Sequence, residues 1–210
     1  MLLTLLVLAS ALFAGWYSTR QTDYFPERLM GLQNDCRFYN GQVERQTVQD
    51  EFYGEWFGGE LADFQEPSLY HRPITALRSV RFLWLRSFHD PIVVRIDDLP
   101  DGSKQLTAKR RPGGAGFTED GTPSIAAERV RRMGTLEIDQ FETAFREAAL
   151  LDQPDAGCSC CVDGAQWIIE VSDPERGYRY RRYQSPEEGI EREVGLAMLK
   201  LTSWDVEPIY

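Results

Sequence analysis

The sequence predicts an α+β domain, in which an antiparallel β-sheet carries two to three helices packed on one face. Two observations predict the sheet. Residues 80–96 are rich in β-branched and aromatic side chains, and in residues 178–183 tyrosines alternate with arginines, the period of a half-buried strand. A third observation predicts helices, since apolar residues lie three or four positions apart in residues 138–148. Strands that mostly follow strands, with helices kept apart from them, are typical of the α+β class.

The strands are predicted from composition and from the turns between them. Asp90-Pro91 separates two strands, because a proline without an amide donor is tolerated at a break in the ladder. Asp101-Gly102 is a strong turn signal, and residues 173–177 join the last two strands as a hairpin. The predicted strands are residues 79–89, 92–97, 105–111, 127–133, 166–172 and 178–183.

Three helices are predicted from their apolar spacing and their caps. The first covers residues 47–64, and the second begins at the capping residue Thr135 and runs to about residue 151. The third follows Ser185-Pro186-Glu187-Glu188, which has the form of a capping box with proline at the first helical position. Their apolar residues are Phe52, Trp56 and Leu61; Ile138, Phe141, Phe145 and Ala148; and Ile190, Val194, Ala197, Met198 and Leu201.

These elements place a single domain at residues 46–204. Residues 15–45 are predicted to be a polar lead-in, and residues 205–210 a C-terminal tail. A chain of 210 residues is long enough to bury a hydrophobic core without depending mainly on disulfides or metal.

The first residues predict export. Residues 2–17 carry no charge, and this apolar run is shorter than the roughly 20 residues that a spanning helix needs. Such a run is typical of a signal peptide, here residues 1–14, with cleavage after the small residue Ala14. The alternative is an uncleaved membrane anchor formed by residues 2–17. We expect an exported protein, periplasmic or extracellular, that meets the membrane only through an uncleaved N-terminal segment.

The net charge of the chain argues against one class of partner, nucleic acids. A formal net charge of −10 predicts no nucleic-acid partner, because nucleic-acid binders need a positive surface to displace counterions. Basic residues do cluster at 109–111, 129–132 and 179–182, and a local anion-binding face is one interpretation. We favour the other, in which these side chains pair with the many carboxylates of the sheet surface.

Four cysteines form the least ordinary feature of the chain. Cys158, Cys160 and Cys161 lie within four residues, and Cys36 is distant. In an exported chain an even number predicts two disulfides, of which three pairings exist. Pairing Cys158 with Cys161 and Cys36 with Cys160 avoids the eight-membered ring that joining Cys160 to Cys161 requires. The alternatives are a thiolate site for zinc or copper and a redox-active pair. We predict no cofactor, with zinc or copper as the alternative.

Four other residues are weak functional candidates. His89 follows a predicted strand and precedes Asp90, an arrangement in which a carboxylate can orient a histidine for acid–base catalysis. Asp163 and Glu170 are a carboxylate pair seven residues apart, and such pairs perform acid–base chemistry when their pKa values differ. We favour structural roles for all four: local hydrogen bonding for His89, and a turn and an arginine partner on a neighbouring strand for Asp163 and Glu170.

Five short motifs between residues 50 and 204 resemble, in their order, a family of small exported bacterial proteins that is classed as a domain of unknown function. The resemblance implies a fold and no chemistry. The Cys158-Ser159-Cys160-Cys161 segment lies outside the family's pattern. The motifs are Glu66-Pro67-Ser68-Leu69, the stretch from Arg81 to His89, the stretch from Asp163 to Glu170, Gln184-Ser185-Pro186 and Gly195-Leu196.

The leading functional hypothesis is a non-catalytic exported domain that binds a protein or another envelope component, since the chain contains strands and aromatics but no assembled catalytic motif. The alternative is a thiol-based metal-binding or redox protein that uses Cys158, Cys160 and Cys161. A hydrolase that uses His89 ranks third. An exposed aromatic or arginine patch would favour the first hypothesis, and a deep pocket lined by His89 and carboxylates would oppose it.

Overall fold

The computed structural model describes residues 24–38, 40–73, 76–113, 124–161 and 163–210. The predicted signal peptide, residues 1–14, and the alternative anchor, residues 2–17, lie outside the described residues. The helices are α1 (Glu51–Asp63), α2 (Thr135–Glu147) and α3 (Ile190–Thr202), and a 3-10 turn spans Glu27–Leu29. The strands are β1 (Gln33–Arg37), β2 (Val43–Thr47), β3 (Ser79–Arg86), β4 (Ile92–Asp98), β5 (Lys104–Arg110), β6 (Ala127–Arg132), β7 (Ala156–Cys158), β8 (Ala165–Asp173) and β9 (Gly177–Gln184).

The predicted α+β class is confirmed. Seven strands form one sheet in the order β6-β5-β4-β3-β8-β9-β7, and β1 and β2 form a separate two-stranded hairpin. All neighbours in the large sheet are antiparallel except β7, which pairs in parallel with β9. The sheet is therefore mixed, because one short edge strand joins a sheet that is otherwise antiparallel.

Helices cover both faces of the large sheet. Phe82 and Trp84 of β3 belong to a core with α2 and α3, whereas Leu83 and Leu85, which point the other way, belong to a second core with α1. Two helices thus share one face, as predicted, and α1 lies on the opposite one. Both faces need cover because β3 is buried at every position from Ser79 to Leu85.

The six predicted strands and three predicted helices all form, with ends shifted by a few residues. Four elements were not predicted: the 3-10 turn, β1, β2 and β7. The first three lie at residues 27–47, largely within the predicted polar lead-in, where Leu29 is fully buried. At the other end, the indoles of Trp84 and Trp167 donate hydrogen bonds to the main-chain oxygen of Tyr210 (3.3 and 2.9 Å), so the predicted tail packs against the core.

Candidate functional site: an aromatic cleft beside the cysteine segment

A cleft of about 690 Å³ opens at one end of the large sheet. One wall is α1 from Phe52 to Glu60, and the other is the chain after β3, residues 87–91, with residues 111–113 after β5. The floor consists of Leu85, Gln166 and Gln184, which lie side by side on β3, β8 and β9, and Cys161 borders it. Sheet ends collect loops and helix termini, and this one brings together three of the eight predicted site residues, His89, Asp90 and Cys161.

Three exposed aromatic side chains line this cleft. Phe52 and Trp56 stand on α1 with 67% and 38% of their surfaces exposed, and Phe88 faces the same cleft from the loop after β3 with 71% exposed. The α1 wall is fixed at its start, because the Asp50 side chain caps the helix by accepting a hydrogen bond from the Tyr53 amide (2.9 Å). Exposed aromatics that surround one concavity are typical of interaction sites.

An ion cluster joins the two walls of the cleft, because Arg111, after β5, contacts carboxylates of α1. Arg111 contacts the carboxylates of Glu60 and Asp63, each at 3.0 Å, and its guanidinium lies 5.3 Å from the centre of the Phe64 ring. Burial raises the pKa of Glu60 and that of Asp63 above their usual values, and the positive charge of Arg111 opposes that rise. The carboxylate of Glu60 lines the cleft already paired with this arginine.

A buried arginine, Arg182, contacts the floor of the cleft through Gln166. Arg182 is 1% exposed, lies 4.1 Å from the centre of the Tyr53 ring and donates to Ser159 Oγ at 2.6 Å and to Gln166 Oε1 at 3.4 Å. Every other buried charged side chain in the described part of the chain has an opposite charge within 4.0 Å, whereas Arg182 has none. Its charge is therefore balanced only by neutral acceptors and an aromatic ring.

His89 and Asp90 both line the cleft, but they are not paired with each other. The His89 ring is hydrogen-bonded through Nδ1 to the Tyr210 hydroxyl (2.7 Å), and Asp90 Oδ1 accepts from the Gly113 amide (2.7 Å). Ser87, which shares the loop, accepts a hydrogen bond from the Gly164 amide through Oγ (3.2 Å). These bonds tie the loop to neighbouring segments. The hydrogen bond of His89 reaches a residue 121 positions away, so it is not the local hydrogen bond that we predicted.

Asp163 and Glu170 lie in different environments. Asp163 is exposed in the segment before β8, whereas Glu170 is fully buried in the middle of that strand. Glu170 forms an ion pair with Arg81 on the neighbouring strand β3 (2.6 Å) and accepts a hydrogen bond from the Tyr178 hydroxyl (2.8 Å). Burial, and after it the negative charge of Glu170, raises the pKa of Tyr178. The predicted arginine partner for Glu170 is thus confirmed.

The cysteines pair differently from the arrangement that we favoured. A disulfide joins Cys36 of β1 to Cys158 of β7, with 5.6 Å between the Cα atoms, and Cys160 is joined to its neighbour Cys161. The predicted Cys36–Cys160 and Cys158–Cys161 pairs are wrong. The reason is the strand β7, which was not predicted: it places Cys158 against the hairpin, and the chain leaves the strand before Cys160.

Two glutamines hold the segment that carries Cys160 and Cys161. The side chain of Gln46 donates to the Ser159 oxygen (2.9 Å) and accepts from the Ser159 amide (2.7 Å). The side chain of Gln184 does the same for Cys161, donating at 2.7 Å and accepting at 3.5 Å. Each glutamine side chain thus makes the two main-chain hydrogen bonds that a neighbouring strand would make. Together the two side chains fix residues 159–161 between the hairpin and β9.

Sequence reasoning missed the aromatic cleft. It assigned Phe52 and Trp56 to the apolar stripe of α1, but the buried positions of that helix are Gly54, Phe57, Gly58 and Leu61. The available signal was that Phe52 and Trp56 lie four residues apart beside a second apolar stripe that contains Phe57 and Leu61. A helix buries only one such stripe, so the other one is left exposed. Phe88 carried no periodic signal because it lies in a loop.

In the described ranges, no group of three or more histidine, cysteine, aspartate or glutamate side chains is arranged to hold a metal ion. Likewise, none of the helices within those ranges has the length and apolar character needed to span a membrane. In comparisons with known proteins, no family model matches the chain and no curated protein is significantly similar to it.

Proposed function

We propose that the protein is an exported, non-catalytic binding domain that recognises a partner protein through the aromatic cleft. The observation that carries this proposal is the convergence of Phe52, Trp56 and Phe88, all exposed, on one concavity. Aromatic side chains contribute large contact areas at little entropic loss, and they are enriched among the residues that dominate protein interfaces.

The polar groups of the cleft also favour binding over catalysis. Glu60 is paired with Arg111, His89 with Tyr210, and Asp90 with the Gly113 amide, so each is engaged in holding the walls. A cleft whose polar groups are already bonded to one another suits recognition, because these contacts hold its walls in place before a partner binds.

Two features support export as part of this proposal. The uncharged residues 2–17 are typical of a leader. The buried Cys36–Cys158 disulfide is of the kind that persists in an oxidising compartment such as the periplasm or the cell exterior.

The proposal is tested by selecting phage-displayed linear peptides on the whole chain and measuring their affinity by calorimetry. We expect Phe52→Ala and Phe88→Ala, which truncate the two opposite walls, each to weaken the selected peptides about tenfold or more. Leu136→Ala is the matched control, because Leu136 is equally exposed (70%) but stands on α2, on the other face of the sheet. Peptides that bind both wall variants as tightly as wild type would overturn the proposal.

A second candidate function, thiol-based metal binding or redox chemistry, is favoured by the exposure of Cys160 and Cys161. All four cysteines are paired, so a four-thiolate site for zinc or copper would form only after both pairs are reduced. Metal analysis of protein purified with a phosphine reductant tests this candidate, and stoichiometric zinc or copper would favour it over the binding domain.

A further inference from the structure

The two cysteine pairs differ in their access to solvent. Cys36 and Cys158 are 1% and 5% exposed, whereas Cys160 and Cys161 are both exposed, and Cys161 borders the aromatic cleft. Thiol–disulfide exchange requires that a thiolate reach a sulfur of the disulfide, so access decides which pair reacts. We propose that Cys160 and Cys161 form a reversible thiol–disulfide exchange site that takes two electrons from dithiol reductants, while Cys36–Cys158 remains a structural cross-link.

The exchange proceeds in two displacements. A thiolate of the reductant attacks one sulfur of the pair, a mixed disulfide forms, and the other cysteine leaves as a thiolate that takes up a proton. The second thiol of the reductant then loses its proton and attacks the mixed disulfide, and the remaining cysteine leaves and is protonated. The pair has gained two electrons and two protons, and the reductant has become a disulfide.

The segment stays in place without the Cys160–Cys161 bond. Gln46 and Gln184 bind the main chain on both sides of Cys160, and the Arg182 guanidinium holds Ser159 Oγ. None of these contacts involves the sulfur atoms of the pair, and the one sulfur contact at Gln184, between Cys160 Sγ and the main-chain oxygen (3.3 Å), does not depend on the disulfide bond. Reduction therefore leaves two neighbouring thiols on a fixed backbone, from which the disulfide can form again.

A buried positive charge lies between the two pairs. Among the described residues Arg182 has no carboxylate partner, and it donates to the Cys158 oxygen (3.4 Å) and to Ser159 Oγ (2.6 Å), so access rather than charge decides which pair reacts. A positive charge beside a cysteine promotes exchange, because the thiolate is both the attacking and the leaving species. The proposal does not depend on partner binding at the cleft.

The test uses the whole chain, purified without reductant and kept folded. A short pulse of dithiothreitol is followed by iodoacetamide and peptide mapping. We expect Cys160 and Cys161 to be alkylated at least about tenfold faster than Cys36 and Cys158, because only the first pair is accessible. Phenylarsine oxide, which bridges two neighbouring thiols, should block that alkylation, and oxidised glutathione should restore the unreactive state.

Two controls complete the test. Cys160→Ser/Cys161→Ser should lose the fast phase, and wild-type protein after the pulse should melt within about 2 °C of untreated protein. Three results would overturn the proposal: equal rates for all four cysteines, alkylation of Cys160 and Cys161 without any reductant, or a large fall in melting temperature when only this pair is reduced.

Discussion

The two cysteine pairs come within two residues of each other in the chain, at Cys158 and Cys160, and perform different tasks. Cys36–Cys158 is buried, closes a separation of 122 residues and fastens the β1-β2 hairpin to the edge strand β7. Cys160–Cys161 is exposed, joins adjacent residues and connects no two elements. A cross-link stabilises mainly by restricting the unfolded chain, and that restriction grows with the length of the closed loop. Only the first pair can stabilise the fold in this way.

The difference originates in the last residues of β7. Gly157 lies directly on the main chain of Val48, and Asn34 accepts a hydrogen bond from the Gly157 amide (3.2 Å) while its own amide group lies 3.4 and 3.5 Å from the sulfurs of Cys36 and Cys158. The next residue, Cys158, therefore faces the hairpin. Two residues later the chain has left the sheet, and Cys160 and Cys161 are paired with each other beside Gln184, whose main-chain oxygen lies 3.3 Å from Cys160 Sγ.

The largest expected effect comes from breaking the buried pair. Replacing both members, Cys36→Ser/Cys158→Ser, should lower the free energy of unfolding by about 4–5 kcal/mol, since the closed loop is long. Urea unfolding followed by tryptophan fluorescence measures the change.

The matched control for that variant is Cys160→Ser/Cys161→Ser, which closes no loop and should lower the free energy of unfolding by less than about 1 kcal/mol. Equal losses in the two double variants would contradict the division into a structural and an exchangeable pair.

A smaller effect tests the backbone contact that aims Cys158 at the hairpin. A Cβ at position 157 would overlap the carbonyl oxygen of Val48, and neither main chain can yield without moving a strand. Gly157→Ala should therefore lower the free energy of unfolding by about 3 kcal/mol, near the upper end of the range for overpacking.

Gly41→Ala is the control for this variant, because a side chain at the hairpin turn meets no atom within 4 Å. Its positive φ of +80° makes alanine somewhat unfavourable there. The difference in stability between the two variants therefore underestimates the effect of the contact at Gly157. A Gly157→Ala protein as stable as wild type would show that the contact does not position β7.

The elements that could be predicted are those in which the spacing of apolar residues indicates which side chains are buried. The strand pair at 79–98, the hairpin at 165–184 and helices α2 and α3 each carry enough apolar residues at the right spacing to specify their type. Two helices on one face followed from the same pattern. The position of α1 did not, because a strand buried on both faces reads as a continuous apolar run that does not say what covers each side.

The cysteine region could not be predicted, because its structure depends on contacts between distant residues. β1 and β2 have mostly polar, exposed side chains, and β7 is three residues long. Their placement comes from the disulfide, from Asn34 and Gln46, and from Tyr183, whose hydroxyl donates to the Arg37 oxygen (2.8 Å). None of these pairs leaves a local signal. The cleft was missed for a related reason, since its walls meet only in the folded chain.

The smallest effect sharpens the comparison at the exposed pair. Gln184 is 5% exposed, and truncating it leaves the amide and oxygen of Cys161 without their side-chain partner. Gln184→Ala should lower the free energy of unfolding by about 1–2 kcal/mol, because main-chain groups beside the floor of the cleft lose hydrogen bonds that water replaces only in part. Gln46→Ala removes the equivalent clamp from Ser159, which Arg182 also holds, so its loss should be smaller. The contrary result is that Gln184→Ala proves no more destabilising than Gln46→Ala. That result would show that Arg182, and not Gln184, holds the main chain at Cys160 and Cys161 in place.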